Sequence, residues 1–253
     1  MRLIFIRHGD PDYENDTLTS QGHQEAEALG QYLKDKDLGE IYVSPLGRAR
    51  ATCEYLLKET DRKATVLPWL REFDAQVDAN NSSFIYETYK NDLELENGVY
   101  QPHIAWDMLP KYRAMNENYF TMNDWRDSEV AEHSQMIQQY DWVCQGLDEL
   151  LAQHGYKRDG LIYRTEQGNH DIITLVCHFG VTMVMLSHLL NVSPFVLWHG
   201  IVTAPTSISQ IVTQEREKSY VDFRCLEIGA TPHLQEKGFS ARFCEVYEDD
   251  DRH

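Results

Sequence analysis

The sequence predicts an α/β domain built on a largely parallel sheet of about six strands. Short apolar runs of strand length alternate with amphipathic helical stretches, the pattern of strand–helix–strand units. The runs Leu3–Ile6 and Ile172–Cys177 are continuous rather than alternating, as strands covered on both faces are. A chain of 253 residues with 42% hydrophobic and 11% aromatic content can bury one full core, not two with separate functions. A single domain over residues 1–253 is expected.

The elements follow in order. Leu3-Ile4-Phe5-Ile6 is the first strand. After the loop 9–20, GHQEAEALGQYLKD places Ala26, Leu29 and Leu33 at helical spacing, and Thr19 or Ser20 can cap the helix. Glu40–Val43 is a second strand. Ser44-Pro45 is expected to open the next helix, with Ser as cap and Pro in the first turn. Residues 64–67 form a third strand, closed by Pro68. Residues near 130–154 carry a helical pattern ended by Gly155. Ile172–Cys177 is the strongest strand, followed by a helix from about Val181 to Leu190. Strands at 207–213 and 220–228 complete the set.

Residues 75–129 break the rhythm. They hold Tyr89, Trp106, Tyr119 and Trp125 with no clear strand, and read as a mainly helical insertion lying over one end of the sheet. Its aromatics belong chiefly to its own core, with a minority left to set specificity. The segment from about 230 to 253, ending EDDDRH, reads as a polar tail.

Charge excludes several functions. Acidic residues number 41 against 23 basic, a formal charge of -18, which disfavours nucleic acid and anionic membranes as partners. The five cysteines are scattered without a C-x-x-C pair, so neither a disulfide framework nor a zinc cluster is expected. The apolar run at the N-terminus is too short for a signal sequence. Residues 172–214 carry no Asp, Glu, Lys or Arg, yet His188, Asn191, Pro194, His199 and Gly200 interrupt them, so no membrane span is expected. A cytoplasmic location follows.

Polar groups stand at successive strand ends, where ligands bind in α/β sheets. Arg7, His8 and Gly9 follow the first strand and offer an anion clamp, a nucleophile or base, and a tight turn. Arg48 lies near a helix start after the second strand, Glu72 follows the third, and His178 ends the strongest. Convergence of these groups on one pocket is expected.

This set resembles the histidine phosphatase superfamily, the phosphoglycerate mutase-like group. The matching pieces are R-H-G at Arg7–Gly9, L-T-x-x-G-x-x-x-A at Leu18–Ala26 and S-P-L-x-R-A-x-x-T at Ser44–Thr52. L-x-E at Leu70–Glu72 and His178 followed by Gly180 complete them. The resemblance implies a three-layer α/β/α sandwich and a phosphohistidine mechanism needing neither cofactor nor metal. His8 would be the nucleophile, with one ring nitrogen held by a backbone carbonyl and the other free. Arg7, Arg48, Gly9 and Asn15 would bind the phosphate. His178, protonated or donating, would stabilise its equatorial oxygens. Glu72 would give the leaving alkoxide its proton, with Asp74 the next acid to consider.

Departures from the pattern narrow the reading. Asp10-Pro11 replaces the common Glu-Thr after R-H-G, and Pro11 has no N–H to offer phosphate. The mutases' R-Y-G-x-L-x-G-L-N-K segment is absent, and Phe73-Asp74-Ala75 stands there instead. A metal-independent phosphomonoesterase acting on small phosphorylated substrates is therefore expected, with a phosphoglycerate mutase as the alternative and a non-enzymatic phospholigand-binding module third. Homodimer formation is left open.

Overall fold

A computed structural model describes residues 1–58, 61–236 and 238. The chain divides into two compact units, one of residues 1–72, 148–182 and 202–253, the other of 73–147 and 183–201.

The first unit is built on a sheet of eight strands among the described residues. The strands are β1 (Arg2–Arg7), β2 (Glu40–Val43), β3 (Ala64–Val66), β4 (Lys157–Asp159), β5 (Ile162–Arg164), β6 (Ile172–Cys177), β7 (Ile208–Glu217) and β8 (Tyr220–Ala230). Their order is β4-β5-β8-β7-β1-β6-β2-β3. β1, β6, β2 and β3 pair in parallel, and β7, β8, β5 and β4 continue the sheet antiparallel.

Both faces of β1 are covered, which is why its sequence is continuously apolar. Ile4 and Ile6 join Ile41, Val43 and Val176 in a core against Leu29 and Leu33 of helix α1 (Ser20–Leu33) and Ala49, Cys53 and Leu56 of helix α2 (Gly47–Leu57). Leu3 and Phe5, turned to the opposite face by the two-residue period, are buried as well. Thr19 caps α1, its side chain accepting from the Gly22 N–H.

Several elements differ from the sequence expectation. The six expected strands are present, and β4 and β5 are added. Each is three residues long and only Tyr163 is buried, so no alternation betrays them. Ser44 does not cap α2. That helix begins at Gly47 with Leu46 in the cap position and no side-chain cap. The pattern at 130–154 splits into Glu129–Glu132 and helix α3 (Met136–Gln153), where Ser134 Oγ accepts from the Met136 N–H. Helix α4 (Phe179–Leu190) starts directly after His178. The chain beyond Ala230 is not wholly a solvated tail, because Pro232–Glu236 forms a further helix, α5, with His233 and Leu234 buried. The acidic end lies outside the described residues.

The second unit holds most of α3 and part of α4, and over residues 75–129 its helices are short. Short helices at Ser83–Tyr89, Pro110–Ala114 and Pro194–Gly200 accompany small two-residue ladders. One ladder, Leu95–Glu96 with Val99–Tyr100, turns through Asn97 and Gly98, both at positive φ (51° and 81°). Asn-Gly between short strands is the signature of such a hairpin. Trp125, Tyr89 and Tyr119 are fully buried in this unit, with Phe195 packed on Tyr119 and Trp125. No helix among the described residues is long and apolar enough to cross a membrane.

Candidate active site

Strand register brings the two motif histidines together. β1 and β6 run parallel with Arg7 opposite Cys177, so the residues that follow, His8 and His178, leave the sheet side by side. The His8 N–H donates to Cys177 O (3.0 Å), and the imidazole centroids lie 4.9 Å apart with planes at 59°. β2 ends alongside, where the Ser44 N–H donates to Val176 O (2.9 Å).

His8 is 1% exposed, and its Nδ1 lies 2.7 Å from Gly9 O. A carbonyl only accepts, so Nδ1 carries the proton and Nε2 keeps its lone pair. Burial, then the neighbouring Arg7 charge, push the imidazole pKa down to about 3. The ring is therefore neutral at physiological pH. Gly9 gives the turn its shape: a Cβ there would lie 2.8 Å from Gly22 O, and one on Gly22 only 2.2 Å from Asp10 O. The Gly9 N–H donates to Thr52 Oγ1 (2.9 Å), whose own proton goes to Arg48 O (2.8 Å).

Both arginines are anchored through one nitrogen. Arg7 Nη1 donates to Thr203 O. Arg48 Nη1 donates to Asp16 Oδ1 at 2.8 Å, and Asp16 Oδ2 accepts the Gly47 N–H at 2.6 Å. These bonds to Gly47 and Arg48 outweigh the opposing burial and hold the Asp16 carboxyl below the usual range. Tyr13 adds an aromatic face 5.4 Å from the Arg48 guanidinium carbon. Arg7 Nε, Arg48 Nε and His178 Nδ1 are all buried and have no hydrogen-bond partner among the described residues. Buried polar atoms are ordinarily paired, so three orphans on three motif residues mark a place built for an oxygen-rich ligand.

His178 is fully buried, with Nε2 2.7 Å from Ser44 Oγ. Burial first, then His8 and the arginines, drive its pKa well below normal. The doubly protonated form expected as one option is thereby disfavoured. Glu72 Oε1 accepts the Val181 N–H (3.0 Å) in the first turn of α4, three residues past His178. That contact ties the acid to the helix that the second histidine introduces.

Not every expected residue joins this group. Asn15 is exposed, its side-chain amide donating to Asp12 Oδ2 (2.9 Å) in a local turn. Asp74 falls in the second unit, where it accepts from Gln139 Nε2 (3.3 Å). Asp16, the anchoring roles of Ser44 and Thr52, and the loop at Thr203 were not legible beforehand. Their partners lie far away in sequence, 32 residues for Asp16 and 196 for Thr203. Among the described residues no group of three or more His, Cys, Asp or Glu is placed to hold a metal ion.

Comparison with known proteins agrees with the motif set. The model of the histidine phosphatase superfamily (branch 1) matches residues 3–102. The fructose-2,6-bisphosphatase TIGAR B of Danio rerio is 38% identical over 65 residues, 22% of this chain and 25% of that protein. A 2,3-bisphosphoglycerate-dependent phosphoglycerate mutase of Brucella ovis is 38% identical over 122 residues, 43% of this chain and 57% of its own length. The chain thus spans a quarter of the one relative and somewhat over half of the other. Among solved structures, phosphoserine phosphatase of Entamoeba histolytica in complex with 3-phosphoglyceric acid superposes with a TM-score of 0.54 at 19% identity, covering 92% of this chain and 98% of that one. A mycobacterial glucosyl-3-phosphoglycerate phosphatase gives 0.57 at 20% identity, covering 90% and 98%. These two likenesses show a common fold. The family match carries the motif residues through Glu72, so residues 3–102 are similar to the histidine phosphatase superfamily, and the structure sets His178 beside His8.

Proposed function

We propose that the protein is a metal-independent phosphomonoesterase working through a phosphohistidine on His8. The observation that carries this reading is the trio of unpartnered buried nitrogens, Arg7 Nε, Arg48 Nε and His178 Nδ1, around a neutral imidazole whose Nε2 is free. A phosphoryl group spreads charge over three equatorial oxygens during transfer, and fixed donors in a dry site stabilise that charge without reorganising. The arginines meet the charge, so no metal is required by the chemistry.

In the first step the His8 Nε2 lone pair forms a bond to phosphorus as the bond to the ester oxygen breaks. Glu72, protonated, gives its proton to the departing alkoxide. In the second, the Glu72 carboxylate takes a proton from water, the water oxygen bonds to phosphorus, and the N–P bond breaks. Inorganic phosphate leaves and Glu72 is again protonated. Substrates would be small phosphate monoesters, the class named in the phosphoserine and glucosyl-3-phosphoglycerate phosphatases.

A mutase reading is favoured by one observation, the 38% identity to the Brucella enzyme over 122 residues. A mutase must protect its phosphoenzyme from water, whereas the mutases' R-Y-G segment is missing here. The test is rapid quench with labelled substrate, run beside assays for phosphate release and for 2-/3-phosphoglycerate interconversion. Acid-labile, base-stable label on the wild type and none on His8→Ala, with phosphate released, is expected. Interconversion outpacing release would replace this reading with the mutase, and full turnover by His8→Ala would end both.

A further inference from the structure

We propose that Ser44 is a positioning residue that fixes His178 as its neutral Nδ1–H tautomer, leaving that N–H as a donor to the transferring phosphoryl group. The inference rests on the phosphoryl-transfer reading of the same pocket and adds a residue to it.

The argument is a proton count. Ser44 is fully buried, and its Oγ lies 2.7 Å from His178 Nε2 and 3.2 Å from the Leu46 nitrogen. Leu46 N–H can only donate, so it occupies a lone pair of the hydroxyl. The hydroxyl's single proton then has one acceptor in reach, His178 Nε2. Were Nε2–H the donor instead, Ser44 would receive two protons and bury its own without an acceptor, at a cost on the order of 1–3 kcal/mol. Nε2 is therefore the bare nitrogen.

A neutral ring must then carry its proton on Nδ1, the atom that is buried and unpartnered. The imidazolium alternative meets Arg7, Arg48 and Arg71 as like charges and His8 as a ring neighbour, with burial added. The turn itself supports the arrangement. Pro45 has no N–H, so the first amide after Ser44 able to reach its hydroxyl is that of Leu46. The Ser44 N–H is meanwhile fixed on Val176 O at the end of the sheet. Sequence order Ser-Pro-Leu thus orients a hydroxyl towards a histidine that lies 134 residues later.

One consequence is mechanistic. His178 enters and leaves the reaction uncharged, so the proton transferred to the leaving group is the one Glu72 carries. A neutral donor also holds product phosphate less tightly than an imidazolium would, since charge-assisted bonds are roughly twice as strong.

The test uses the full chain labelled with ¹⁵N-histidine in phosphate-free buffer near pH 7. Long-range proton–nitrogen correlation, with His178 identified by its loss in His178→Gln, should show a protonated Nδ1 and an unprotonated Nε2. Ser44→Ala should mix the tautomers or shift the proton to Nε2. The same variant should slow single-turnover phosphorylation by at least roughly 10-fold, towards the 10²–10³ typical of losing one oxyanion donor. Ser44→Thr, which keeps the hydroxyl, should restore both signals. A wild-type ring protonated at Nε2, or at both nitrogens, overturns the proposal, as does an unchanged tautomer in Ser44→Ala. The wild-type spectrum needs no turnover, and His178→Gln need only fold to give the assignment. Absence of phosphohistidine therefore sinks the phosphatase reading while the tautomer result is judged separately.

Discussion

The Asp16 carboxylate bridges Arg48 and the amide of Gly47, at 2.8 and 2.6 Å, so one side chain orients the Arg48 guanidinium and accepts the first amide of the helix that carries it. Asp16 adopts a positive φ of 46°, and a Cβ on Gly47 would lie 1.9 Å from Asp16 O. Backbone and side chain are locked together.

Asp16→Ala should therefore act on binding more than on folding. Losing the acceptor of that first helical amide costs about 1 kcal/mol of stability, as the loss of a helix-end hydrogen bond does. Freeing Arg48 Nη1 should raise KM for phosphate esters, and the inhibition constant of vanadate, by roughly 10-fold, equivalent to about 1.4 kcal/mol. Urea denaturation and vanadate titration measure the two effects. Unaltered vanadate affinity would show that Arg48 does not need the anchor.

The glycines around His8 should be intolerant of a methyl group. Gly22→Ala places carbon 2.2 Å from Asp10 O, which is backbone and cannot swing away. A loss of roughly 1–3 kcal/mol is expected. Thr52→Val tests the same loop without overpacking it, because it strips the acceptor from the buried Gly9 N–H. Its activity should fall further than its melting temperature, and a normal kcat/KM would argue that the Gly9 amide is not needed to hold His8.

Acid should weaken the folded state through its buried histidines. Burial sets His8 at about 3, with Arg7 adding to the effect, and His233 at about 4. Unfolded histidine titrates near 6.5, so between about pH 6.5 and 4 the unfolded chain holds protons that the folded chain excludes. Stability is full above 6.5 and falls with pH across that window, by about 1.4 kcal/mol per unit for each such group. Urea midpoints at pH 7 and 5 should differ accordingly, and His233→Gln should flatten the slope. An identical slope in that variant would contradict a buried, neutral His233.

Glu72→Gln separates proton donation from support of α4. Glutamine keeps an oxygen to accept the Val181 N–H but has no proton to give. Phosphorylation by alkyl phosphates should slow by about 10²–10⁴-fold in single turnover, and by nitrophenyl phosphate much less. Equal losses on both esters would remove Glu72 from the role of acid.

The legible part of this protein is what local pattern controls. β1 and β6 announce themselves because both faces of each are buried. The motif histidines and arginines stand at strand ends that can be read one at a time. β4 and β5 escape notice because hydrogen bonding to neighbours, not side-chain burial, makes them strands. Ser44 reads as a helix cap because Ser-Pro fits that pattern, yet the helix starts three residues later and the hydroxyl serves His178. Asp16 gives no sign at all, since its meaning lies in Arg48.

The helix α5 has a consequence for how the protein is made. His233 Nε2 lies 2.8 Å from Thr206 Oγ1, and the Thr206 amide donates to His8 O at 3.0 Å. In order of synthesis His8 precedes His233, the last residue bracing its loop, by 225 residues. A nascent chain halted before Thr231 would already carry every motif residue and still lack that brace. The motif set is thus complete before its brace exists, and a protease cutting after Ala230 would undo the brace without touching a single motif residue.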